Sequence, residues 1–151
     1  MENVRTVIMT VGLPGSGKST WARRYAAEHG FVIHSSDGVR ERIYGDESVV
    51  GDFDEVFGIL YEDVDRSLSE GRDVIIDNTG LTLRAREVVK TYHDRGFRTV
   101  AVVFDTPLGT CLRRNASRDR KVPEDVIRGM ARRMREPSID EGFDEIIHVK
   151  T

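Results

Sequence analysis

The stretch Gly12-Leu13-Pro14-Gly15-Ser16-Gly17-Lys18-Ser19-Thr20 fits the pattern G-x-x-x-x-G-K-[ST] without a gap. Just before it runs Val7-Ile8-Met9-Thr10-Val11, apolar enough for a buried strand, and a helical pattern begins near Lys18. Strand, glycine-rich loop and helix in that order are what a phosphate cradle needs, and an ordinary glycine-rich turn would not require all three to agree. Glycines at 12, 15 and 17 let successive backbone N–H groups converge on one anion, and the helix adds its positive end. Gly12, Pro14, Gly15, Ser16, Gly17, Lys18, Ser19 and Thr20 are therefore the expected binding set for a nucleoside triphosphate. By the same mechanics Lys18 reaches the β- and γ-phosphates and the Ser19 hydroxyl ligates Mg²⁺.

The 151 residues suit one domain, 1–151, with a single buried core. At 38% hydrophobic and 32% charged, with four prolines, the chain has an ordinary globular composition, without repeats or low-complexity tracts. Its one cysteine, Cys111, excludes a disulfide framework and suits a reducing cytosol; an apolar helical register makes it a core residue rather than a nucleophile. The first apolar run is too short for a signal peptide or a membrane span, so a cytoplasmic location without membrane contact is expected. The formal net charge of -3 hides an uneven distribution. Residues 41–70 carry ten acidic side chains against Arg42 and Arg66, which predicts a negative face. Residues 113–135 carry nine basic ones against Asp119, Glu124 and Asp125, a stretch that attracts polyphosphate or a nucleic-acid backbone. For Arg128, Arg132 and Arg135 a solvated helix face is the plainer reading.

The remaining elements alternate. A strand at 5–11 feeds the loop, and a helix runs to about Glu28 before Gly30, packing through Trp21, Ala22, Tyr25 and Ala26. Phe31-Val32-Ile33 is a second strand, and Asp37 follows at its carboxyl end with Arg40 one turn on, at the edge where open α/β sheets bind ligands. As a helix N-cap with a local Arg40 ion pair, Asp37 would be structural. Beside a triphosphate it is the expected general base for an acceptor hydroxyl, with Arg40 on an anionic group of that acceptor. A helix over 54–69 carries the apolar stripe Val56, Ile59, Leu60, Val64 and Leu68. Asp73-Val74-Ile75-Ile76-Asp77 reads as a buried strand ending in a carboxylate, which places Asp77 with Ser19 and Asp37 in the expected Mg²⁺ set, unless Asp77-Asn78 merely starts a turn. Further on come a helix over 83–94 capped by Thr82, a strand over 97–104, a helix opened by Pro107, a helix from Pro123 to about Glu136, and a strand over 143–149. Alternation of this kind means a parallel sheet with right-handed crossovers. The polar connection 115–122 predicts a lid, extending over about 115–135, whose Arg118 and Arg120 close on the triphosphate and exclude water.

Four segments together resemble one family. Residues 12–23, Ser-Ser-Asp-Gly-Val-Arg at 35–40, Ile-Ile-Asp-Asn-Thr-Gly-Leu at 75–81 and Arg-Asn-Ala-Ser-Arg-Asp-Arg-Lys-Val-Pro at 114–123 look like the kinase domain of bacteriophage polynucleotide 5′-kinase and its bacterial relatives. The resemblance covers essentially the whole chain. It implies a P-loop NTPase fold with a five-stranded parallel sheet in the order 2-3-1-4-5, and ATP–Mg²⁺ as phosphoryl donor. It further implies a 5′-hydroxyl end of DNA or RNA as acceptor, with Lys18 and Ser19 on ATP–Mg²⁺, Asp37 as base, Arg40 on the acceptor's phosphate, and Arg118 and Arg120 on the triphosphate. The phosphatase and ligase modules of several relatives are not in the sequence, so action without an obligate protein partner is expected. Residues 41–70 are expected near the acceptor entrance, and Gly38 stands where the family has a larger polar or acidic residue. P-loop kinases for small metabolites, modified nucleobases or peptidoglycan sugars share Asp-x-x-Arg after the second strand. A small-molecule kinase therefore stays open, as does a nucleotide-binding module without transfer.

Overall fold

The computed structural model describes residues 4–119 and 121–150. Five parallel strands, β1 (Thr6–Val11), β2 (Val32–His34), β3 (Val74–Ile76), β4 (Arg98–Phe104) and β5 (Glu145–Val149), form one sheet in the order β2-β3-β1-β4-β5. That is the order and the P-loop class the resemblance implied. Central β1 pairs with β3 through Val7↔Val74, Ile8↔Ile75 and Met9↔Ile76, and with β4 along its whole length. Because side chains alternate across a strand, Val7 and Met9 face one layer and Ile8 the other. The first layer is the larger core, where Val7, Met9, Val74, Ile76 and Ala101 pack against helix α3 (Phe53–Ser69) through Val56, Leu60, Val64 and Leu68. On the opposite face Ile8, Ile75, Val100, Val102 and Phe104 meet α1 (Lys18–His29), whose Ala22 is fully buried. Trp21 stacks on Tyr25 at 4.8 Å and meets Phe104 edge-on, a packing role for that ring.

The remaining helices are α2 (Ser36–Tyr44), α4 (Leu83–Arg86), α5 (Val88–Asp94), α6 (Leu108–Ala116) and α7 (Glu124–Arg133). A third cluster, Leu13, Leu81, Cys111 and Ile127, ties the P-loop to α6 and α7. Cys111 is fully buried there, and burial pushes its thiol up from the ordinary value, so it is a core residue as its register indicated.

Several boundaries differ from the sequence expectation. The helix expected over 83–94 is two segments: Glu87 stays helical (φ -59°, ψ -25°), but the chain tightens to i→i+3 bonds, Glu87 N–H to Arg84 O and Lys90 N–H to Glu87 O. Helix α7 stops at Arg133 because Arg135 N–H donates to Leu81 O at 2.8 Å, drawing the chain out of the helix ahead of Pro137. Pro107 and Pro123 are cap residues just outside α6 and α7, and Asn115 lies within α6, so the basic connection begins at Ser117. β5 begins at Glu145, and Phe143, expected in that strand, is buried in the larger core.

Candidate active site

The P-loop leaves the carboxyl end of β1 and is held from two sides and by one bond of its own. Gly12 N–H donates to Thr79 O at 2.9 Å, Ser16 N–H to Leu13 O at 3.0 Å, and the buried Thr106 hydroxyl to Ser16 O at 2.9 Å. Gly15 has φ +83°, and a Cβ there would lie 2.5 Å from Cys111 O, so glycine is required both by the turn and by the close approach of α6. Gly17 precedes the first turn of α1, whose N–H groups are thereby presented to the loop. Pro14, Gly15, Gly17, Lys18, Ser19 and Thr20 line a cleft of about 1880 Å³, while Gly12 and Ser16 are buried beneath it.

Lys18, Asp37, Asp77 and Arg118 converge here. Burial pushes the Lys18 ammonium below its ordinary value; Asp77 opposes the shift, Arg118 adds to it, and Asp37 opposes it. All four line the cleft. A phosphate entering beside Lys18 supplies the counter-charge that burial withholds, so anion binding and Lys18 protonation reinforce each other.

Asp77 follows β3 and extends the sheet through its N–H to His34 O, 2.9 Å. Its Oδ2 accepts from the Ser19 hydroxyl at 2.8 Å and its Oδ1 from the buried Thr10 hydroxyl at 3.1 Å. Hydroxyl and carboxylate oxygens in contact are the donors Mg²⁺ takes, and it prefers one or two carboxylates plus substrate phosphates to an all-protein cage. Among the described residues no group of three or more His, Cys, Asp or Glu side chains gathers as a metal cage.

Asp37 is not the cap of α2. Ser35 is, its hydroxyl accepting from Gly38 N–H at 3.0 Å, and Asp37 sits in the first turn, lining the cleft. The ion pair with Arg40 does form, at 3.2 Å. Arg40 also reaches the Ser36 hydroxyl at 3.1 Å through the same nitrogen and Val50 O at 3.2 Å through Nε, which leaves Nη2 without a hydrogen bond among the described residues. Arg118 follows α6 with its backbone held by Asn115 O; its guanidinium has no hydrogen bond or ion pair among the described residues. Arg120, the second expected lid arginine, lies outside the described residues.

Two residues that sequence reasoning left without a role assemble this site. Asn78 accepts from both the Ser36 N–H and the Ser36 hydroxyl at 2.9 Å, fixing the start of α2 against the end of β3 and hence Asp37 against Asp77. Asn115 ties the end of α6 to the segment just before α7, its amide donating to Val122 O at 2.6 Å and accepting from Val122 N–H at 2.9 Å. The only cue for Asn78 was a polar residue directly after a strand-end Asp; Asn115 gave none, since one helical asparagine looks like any other.

A central-strand P-loop, a Ser–Asp pair and a second carboxylate at the head of the next helix define a P-loop kinase-like domain. Residues 7–137 match a family described as AAA domain, and the chain belongs to that family. Among solved structures, 88% of this chain superposes on 45% of a chain in the Pnkp1/Rnl/Hen1 RNA repair complex, with TM-score 0.77 and 26% identity. The chain thus spans less than half the length of that relative. A sugar kinase from Janibacter matches 98% of this chain and 86% of its own, with TM-score 0.71 and 20% identity. The Mycobacterium tuberculosis APS kinase CysC, in complex with AMPPNP and APS, matches 97% and 90%, with TM-score 0.65 and 21% identity. The last two share the fold with this chain.

Proposed function

We propose that this single domain transfers the γ-phosphoryl group of ATP to a 5′-hydroxyl end of DNA or RNA. The observation that carries the reading is the placement of Asp37: a carboxylate released from capping duty, in one cleft with Lys18 and the Ser19–Asp77 pair. The acceptor hydroxyl gives its proton to the Asp37 carboxylate as its oxygen attacks the γ-phosphorus, the bond to the β,γ-bridging oxygen breaks, and ADP leaves. Lys18 and the loop N–H groups hold the β- and γ-phosphates, and Arg118 takes up charge on the transferring group. Ser19 and Asp77 are the residues to hold Mg²⁺, with Asp37 nearby; when bound, the ion neutralises phosphate charge. Arg40 offers Nη2 to an anionic group of the acceptor.

Likeness to a chain of an RNA repair complex supports the nucleic-acid acceptor. A small-metabolite hydroxyl acceptor is the second reading, favoured by near full-length superposition on a sugar kinase and on APS kinase. Incubation with γ-labelled ATP, Mg²⁺ and a 5′-hydroxyl oligonucleotide, beside a panel of hydroxylated metabolites, separates them. Label on the oligonucleotide is the expected result; label on a metabolite alone overturns the assignment.

A further inference from the structure

The cleft does not end at the phosphates. It continues along the first turns of α3 and the segment before it, where Val50 is 72% and Phe53 58% exposed. Phe53 and Phe57, one helical turn apart, stack with ring centroids 4.2 Å apart and planes at 22°. Tyr61 continues the row, its centroid 6.0 Å from that of Phe57. Phe57 and Tyr61 are partly sunk in the larger core, which fixes them, whereas Phe53 lies on top with much of its ring uncovered. Exposed aromatic surface lining a cleft is favourable only when something covers it. The shelf is tied to the acceptor end of the site through Arg40 Nε and Val50 O.

Charge narrows the occupant. Arg84 of α4 lines the same cleft, and its guanidinium has no hydrogen bond or ion pair among the described residues. Glu47 and Asp54 line it as well, so a polyanion running along α3 is disfavoured while one ring with one phosphate is not.

We propose that Phe53, backed by Phe57, stacks the base of the acceptor's terminal nucleotide and that Arg84 adds to the attraction for that nucleotide's 3′-phosphate. The subsite rests on the nucleic-acid reading above and sharpens it: the enzyme recognises one terminal nucleotide, not a length of strand. Base–aromatic stacking of this kind is worth about a tenfold gain in affinity or more.

Calorimetric titration of the full chain, with Mg²⁺ and a non-hydrolysable ATP analogue present, tests this without requiring turnover. Thymidine 3′-monophosphate is expected to bind about tenfold more tightly than its abasic tetrahydrofuran analogue. Phe53→Ala is expected to abolish that difference and Phe53→Trp to keep it, with ATP-analogue affinity and thermal midpoint unchanged in both. Thymidine without the phosphate is expected to bind the parent chain more weakly than thymidine 3′-monophosphate, and that difference is expected to shrink in Arg84→Gln. Equal binding of the base-containing and abasic compounds, or a preference that survives Phe53→Ala, overturns the stacking shelf. An undiminished phosphate preference in Arg84→Gln overturns the anion contact. Failure of the labelled-ATP assay with preserved Phe53-dependent binding would instead remove the transfer reaction and leave the subsite standing.

Discussion

At the residue scale, the difference between Asp37 and Ser35 decides what α2 can do. With Ser35 holding the Gly38 N–H, the Asp37 carboxylate is not needed to start the helix and can accept a proton. Asp37→Asn is therefore expected to leave ATP affinity intact and lower turnover by a factor on the order of a hundred or more. Arg40 keeps its Ser36 and Val50 contacts in that variant, so local collapse does not explain a loss. Arg118→Ala, measured beside it, is expected to slow transfer on the order of tenfold or more, because its guanidinium lines the cleft and makes no hydrogen bond or ion pair among the described residues. Single-turnover rates with saturating ATP read both; an undiminished rate for Asp37→Asn removes it as the base.

Among the elements, the seam between β2 and α3 carries a pH dependence. His34, the last residue of β2, meets the Ser67 hydroxyl of α3 at 2.9 Å through Nε2. Burial holds its imidazole below the ordinary 6.5, Asp63 pulling the other way while Arg42 and Arg66 add to the lowering. The folded chain thus binds this proton less well than the unfolded chain, so stability falls as pH drops through 6.5 toward the lower folded value and is flat in this respect above it. Urea midpoints at pH 5.5 and 7.5 are expected to differ more for the parent than for His34→Gln; equal pH losses in the two would remove His34 as the source. The existence and type of the elements were legible because glycine stops, Thr82 and the 3.6-residue stripe of α3 are local signals. What was not legible depends on distant partners. Nothing near Glu87 announces the tightening between α4 and α5. The early end of α7 is different: Glu136-Pro137 carried a boundary signal in the sequence, although the Leu81 carbonyl that receives Arg135 did not.

Across the whole molecule, part of the acidic stretch is spent on structure. Asp63 is shared by Arg42 and Arg66, Asp65 pairs with Arg95, Asp52 caps α3, and Glu55 accepts from the Tyr44 hydroxyl. Of the acidic residues in 41–70, Glu47 and Asp54 line the cleft. The charge count along 41–70 already held Arg42 and Arg66, but not Arg95, which reaches Asp65 from the end of α5, and not the Tyr44 hydroxyl contact to Glu55. The same reach across the fold concentrates on the segment after β3, where Thr79 O receives the P-loop, Asn78 receives α2, and Leu81 O receives Arg135 just past α7. Its brace is Arg86, fully buried, which donates to Gly80 O at 2.6 Å and pairs with Glu141 at 2.8 Å. Arg86→Met deletes both partners' donor while keeping apolar bulk, leaving a carboxylate only 13% exposed without its cation and a carbonyl without its bond. Loss of one partner of such a pair costs about 3–5 kcal/mol, enough to lower the melting midpoint by roughly 10 °C in a chain of this size. Glu141→Gln is expected to cost less, since the amide oxygen still accepts from the guanidinium. Because the Gly12 bond hangs on the same segment, Arg86→Met is also expected to weaken ATP binding well below its melting point. A variant that melts within a degree or two of the parent would show that the segment is held by its backbone bonds alone.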